Sequence, residues 1–135
     1  MQFLDANVIL RYLTRDDPEK AERCLALLQR AERNEVALTT SEAIIAEVVY
    51  VLSSPRLYNL SPQRIRELLL PVLNLRGLKL PSRQLYNRAL DLYATHAIDF
   101  EDALAVAHME QQGITEMVSY DRHFERVEGV ERVEP

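Results

Sequence analysis

The sequence predicts an α/β fold, and three observations carry that prediction. Short apolar stretches of strand length alternate with longer amphipathic stretches of helical period. Proline and capping residues separate them. The first and the fourth of the strand-like stretches stop directly at an aspartate, Asp5 and Asp121. A carboxylate at the end of a strand stands at the carboxyl edge of a sheet, where open parallel α/β sheets bind their ligands. At 135 residues the chain has the size of one domain, and no composition shift marks an internal boundary, so a single domain over 1–135 is expected.

In chain order, Gln2 to Leu4 reads as a short buried strand running into Asp5. Asn7 is placed to cap the apolar helix Val8 to Leu13. Asp17 and Pro18 then form a cap followed by a proline at the first helical position. From Glu19 to Glu32, Ala21, Cys24, Leu25, Leu28 and Ala31 recur at helical spacing under a charged outer face. Val36 to Thr39 reads as the second strand. A helix follows from about Thr40 to Ser54, with Thr39 and Glu42 at capping-box spacing. Beyond the loop Pro55 to Leu60, Ser61-Pro62 opens a helix whose apolar stripe is Ile65, Leu68, Leu69 and Val72, with a kink expected at Pro71. Leu78 to Leu80 is the third expected strand, and Ser82 caps a helix reaching about Ala94. Asp99 starts the next helix, and Gly113 ends it. Strands at Met117 to Ser119 and Val130 to Val133 complete the pattern.

Composition narrows the function. With 47% hydrophobic and 27% charged residues the chain is of ordinary globular type. No apolar run approaches the roughly 18 residues of a membrane span, and nothing near the start reads as a signal peptide, so a cytoplasmic protein is expected. The lone Cys24 has no disulfide partner and no spaced zinc-ligand companions. A net charge of −5 argues against a protein that coats nucleic acid by charge alone, though not against a nuclease that recruits cations. The three glycines build no Gly-rich phosphate loop, which excludes nucleotide-driven chemistry of that type.

The acidic residues carry more. Glu47 has Ala43, Ile44, Tyr50 and Val51 within one helical turn. Either the polar stripe of that helix is thin and Glu47 is exposed, or the carboxylate points inward toward a cation. Asp99 and Asp102 share the start of a helix, where cap and dipole alone would explain them. The small apolar run Ala103 to Ala107 that follows is what singles out Asp102. Asp5, Glu47, Asp102 and Asp121 therefore form a candidate metal and catalytic set. Carboxylates gathered without compensation repel one another, so such a cluster makes sense chiefly around a hard cation. Oxygen ligands favour Mg²⁺ or Mn²⁺, and those ions suit phosphodiester hydrolysis.

The stretches Leu4-Asp5-Ala6-Asn7-Val8, Ala46-Glu47-Val48-Val49, Asp99-Phe100-Glu101-Asp102-Ala103 and Ser119-Tyr120-Asp121-Arg122-His123-Phe124 resemble the successive acidic motifs of PIN-domain ribonucleases. Among these the chain is most similar to the VapC toxins of toxin–antitoxin pairs, in order and in length. The resemblance implies a three-layer α/β/α fold with a central parallel sheet of four to five short strands. It also implies Mg²⁺- or Mn²⁺-dependent cleavage of RNA, a homodimer, and a cognate antitoxin that occupies the active-site groove. Asp5, Glu47, Asp102 and Asp121 take the metal positions, Asn7 supports Asp5, and Ser119 supplies the hydroxyl for which the family more often has Thr. Asp99 is an additional supporting or capping acid.

His96, His108 and His123 read as structural or solvent-facing, and only His123 lies near the acids in sequence. Arg11, Arg15 and Arg122 flank the acidic corners. Tyr50, Leu52, Leu57 and Tyr58 fit either a partner groove or the core. Two rivals stand beside the nuclease: a non-catalytic interaction module of the same fold holding a structural cation, and a receiver-like domain phosphorylated on Asp5. The second lacks a partner lysine late in the chain.

Overall fold

A computed structural model describes residues 1–135. It contains six α-helices and four short strands, and every strand pairing is parallel. The chain divides into two compact units, Met1–Arg83 and Gln84–Pro135. No helix is long and apolar enough to cross a membrane.

In the first unit, β1 (Gln2–Phe3) pairs with β2 (Leu38–Thr39), and Leu38 also bridges Leu78 on its other side. The expected strand Leu78 to Leu80 is thus reduced to one residue. The Leu38 N–H donates to the Gly77 carbonyl and the Lys79 N–H to the Leu38 carbonyl, but the next carbonyl, that of Lys79, accepts from the Thr39 hydroxyl at 2.8 Å, and Pro81 has no N–H to continue. The expected burial of the opening strand holds for Leu4 alone. Gln2 and Phe3 are exposed. Thr40 is the buried polar residue of this unit, and its hydroxyl donates to the Leu4 carbonyl at 2.9 Å. That bond pins the backbone one residue before Asp5.

Helix α1 (Ala6–Thr14) starts two residues earlier than expected, with Asp5 rather than Asn7 at its cap position. Helix α2 (Pro18–Glu32) begins as read, the Asp17 carboxylate accepting from the Lys20 N–H. In α3 (Glu42–Ser53) the cap is Ser41, which accepts from Ile44 N–H, whereas Thr39 belongs to β2. Helix α4 (Pro62–Leu73) continues through the exposed Pro71, which removes one N–H donor without ending the helix. Ile9, Leu38, Ile45, Leu52, Ile65 and Leu69 are among the fully buried side chains of this unit.

In the second unit, α5 (Arg83–Thr95, its first residue lying at the unit boundary) and α6 (Phe100–Gln112) meet through Tyr93 and Phe100. Their rings are edge to face at 5.9 Å. A forked ion pair, Arg88 to Glu110, joins the same helices on the outside. Gly113 ends α6 in the left-handed conformation expected of a C-terminal glycine. Strands β3 (Glu116–Val118) and β4 (Glu131–Val133) pair side by side, with the 3-10 turn Arg122–Arg126 between them in sequence.

Candidate metal centre

The centre of interest lies where α6 begins and β3 ends. Asp99 occupies the cap of α6, and its Oδ1 accepts from the Asp102 N–H at 2.9 Å. Capping explains the Asp99 carboxylate. It does not explain Asp102, one turn further, half-buried, with no arginine or lysine bridged to it. Partial burial pushes the Asp102 carboxyl above the ordinary aspartate range. The negative charges of Asp99 and Asp121 add to that, and His123 offsets a part.

Asp121 follows β3. Its N–H donates to the Ser119 hydroxyl at 3.0 Å, and its Oδ1 accepts from the His123 N–H at 2.9 Å, so it caps the 3-10 turn. The same oxygen lies 3.2 Å from His123 Nδ1. Ligand atoms of Asp102, Asp121 and His123 all fall within 4.8 Å of one another. Two carboxylates and an imidazole at that spacing fit a divalent cation in their donor chemistry. The like charges of Asp99 and Asp121, which add to burial in raising the Asp102 carboxyl, are ones a cation would offset.

Two arginines hold this corner in place. Arg132, its side chain 9% exposed, pairs with Glu125 and Glu134 and donates to the Ser119 carbonyl at 2.8 Å, which fixes the end of β3. Arg126 donates to the carbonyl of Ala97 at 2.6 Å. Ala97 has φ +50°, a conformation that costs free energy in a residue with a Cβ, and it lies two residues before Asp99. Neither arginine is visible as an anchor from spacing, because each acts on a backbone carbonyl distant in sequence.

The PIN domain family model matches residues 3–130. The chain belongs to the PIN domain family. A VapC ribonuclease of Aquifex aeolicus (strain VF5) is 27% identical over 135 residues, covering 100% of this chain and 97% of that protein. The expected α/β class with parallel strands is that of the PIN domain.

Within this PIN domain the remaining predicted site residues belong to the first unit. Asp5 takes the cap position of α1 in extended backbone, yet its side chain makes no capping hydrogen bond. The exposed carboxylate is thus uncommitted to the helix it precedes. Asn7 is exposed within the first turn of α1 and borders a cavity of about 320 Å³ with Val8, Arg11, Lys20, Arg23 and Cys24. Burial pushes the Cys24 thiol up, against the pull of Arg11.

Of the two readings open for Glu47, the structure shows the exposed one. It is exposed, together with Ala43 and Tyr50 on the same stripe, while Ile45, Val48, Val49 and Leu52 take the buried face of α3. Its apolar neighbours in sequence are largely surface residues. The residues that fit either a partner groove or the core divide likewise: Leu52 is buried, Tyr50 and Leu57 are exposed, and the Tyr58 hydroxyl donates to Asp16. Arg15 is engaged by Glu22 at 2.8 Å. His123, read from sequence as structural or solvent-facing, is the residue that the structure adds to the centre.

Proposed function

We propose that this PIN domain is a divalent-metal-dependent endoribonuclease, the toxin of a toxin–antitoxin pair, acting as a single nuclease domain over residues 1–135. The observation that carries the reading is the Asp102, Asp121 and His123 donor cluster, in a chain similar over its whole length to a VapC ribonuclease. Asp102 and Asp121 hold Mg²⁺ or Mn²⁺ in this proposal. Asp5 and Glu47 join them on the strength of the sequence motifs and the family resemblance. Ser119 and Asp99 accept from the backbone N–H groups of Asp121 and Asp102 and so position the residues that carry the two carboxylates. A divalent cation bound there supplies electrostatic stabilisation to a phosphodiester undergoing attack by water. Asn7 supports Asp5. The chain acts in the cytoplasm as a homodimer, on RNA, and is neutralised by a cognate antitoxin.

One observation favours a second reading, a non-catalytic module with a structural cation: Asp99 and Asp121 each already cap a helical segment. Induced expression in a bacterial host separates the two. The nuclease reading predicts growth arrest with loss of defined RNAs, both abolished by Asp5→Asn or Asp102→Asn. Arrest of equal depth by wild type and both variants, with intact RNA, would leave only the binding module.

A further inference from the structure

We infer that His123 is a ligand of the cation and makes this centre selective for a transition-type divalent ion over Mg²⁺. The inference rests on the metal-dependent reading above and specifies its ion.

Four observations converge on the imidazole. Its Nδ1 stands 3.2 Å from Asp121 Oδ1. An octahedral ion with bonds of about 2.1 Å spaces neighbouring ligands by about 3 Å and opposite ones by about 4.2 Å. The 3.2 Å separation, and the 4.8 Å limit that encloses Asp102 as well, therefore describe donors that close on one ion with little movement. Second, the ring is placed by the backbone. The His123 N–H donates to that same Asp121 oxygen, and the turn is held at its base by the Ser119 hydroxyl and by Arg132 on the Ser119 carbonyl. Third, the ion pair itself does not account for this ordering. The His123 and Asp121 side chains are 55% and 44% exposed, and a solvated pair of that kind contributes little. Fourth, Phe124 is buried directly after His123, which anchors the turn and directs the preceding residue outward to the acids.

The chemical consequence follows from ligand softness. Carboxylates and water satisfy Mg²⁺, whereas an imidazole nitrogen raises affinity for first-row transition ions relative to Mg²⁺. His96 and His108 belong to no such donor group: the His96 ring meets the Thr95 hydroxyl, and His108 lies in α6 away from its N-terminal acids.

The test is equilibrium binding of Mn²⁺ and of Mg²⁺ to the purified full chain, to His123→Gln and to Asp102→Asn, with pulsed electron paramagnetic resonance of the Mn²⁺ form. The inference predicts a nitrogen coupling on wild-type Mn²⁺ that is absent from His123→Gln. It also predicts that His123→Gln loses about tenfold in Mn²⁺ affinity with less than about threefold change for Mg²⁺. The nitrogen signal is read on the wild-type protein, so it decides the matter even where the variant folds poorly. Mn²⁺ binding that is lost in Asp102→Asn, unchanged in His123→Gln and free of nitrogen coupling overturns the inference while leaving the metal-dependent reading intact. Failure of wild type to bind either ion overturns both.

Discussion

Asp102 shows how a site of this kind opposes stability at the level of one residue. Its carboxyl titrates higher in the fold than in an unfolded chain, first through partial burial and then through Asp99 and Asp121. Such a group favours the folded state while it is protonated. That advantage is lost as pH rises from the ordinary aspartate value toward the raised one, and at neutral pH the metal-free fold carries the full cost. Asp102→Asn is therefore expected to raise the melting temperature of the metal-free chain at pH 7 and to change it little below about pH 3.5, under the unperturbed value. Thermal melts in EDTA at both pH values check this, and an equal shift at the two would contradict it. Arg132 makes the opposite kind of contribution. Its bond to the Ser119 carbonyl positions the Asp121 turn without touching a ligand atom. Arg132→Ala should weaken Mn²⁺ binding by about tenfold or more in titration calorimetry. That Asp5 and Asp121 come just after strands and that Asp102 opens a helix is legible in the sequence. His123 was not: its ring meets the acids through a turn that only the 3-10 geometry defines.

At the scale of elements, most helices were legible, and their starts less so. Asp17-Pro18 and Ser61-Pro62 behave as their chemistry dictates, cap then proline, and Gly113 closes α6. The starts of α1 and α3 shifted because several side chains competent to cap stand close together, Asp5 with Asn7 and Thr39 with Ser41, and the tertiary bonds of Thr39 and Thr40 decided between them. The orientation of Glu47 was not legible for a related reason, since helical spacing identifies neighbours but not which stripe faces the core. Gly77 carries a prediction at this scale. A Cβ there would stand 2.4 Å from the Ala31 carbonyl oxygen and 2.5 Å from that of Val36, both backbone atoms that cannot rotate away. Gly77→Ala should cost about 1–3 kcal/mol by denaturant titration, as overpacking does. Leu69→Ala, emptying a fully buried position on α4, should cost about 2–5 kcal/mol.

For the whole molecule, alternation of strand and helix was enough to predict the α/β class, and the strand pairings are parallel throughout. The two units are less visible in the sequence. Their boundary falls in the first turn of α5, where neither composition nor a glycine-rich linker marks it. The PIN domain match runs from residue 3 to 130 through both units. A net charge of −5 argues against RNA binding by overall charge alone. The most direct measurement is cleavage of an end-labelled RNA panel by the purified, partner-free chain with Mn²⁺, with Mg²⁺ and with EDTA, beside Asp102→Asn. The account predicts internal cuts that require the metal and fall by at least about a hundredfold in the variant. Cutting that survives EDTA, or that Asp102→Asn retains in full, would contradict it.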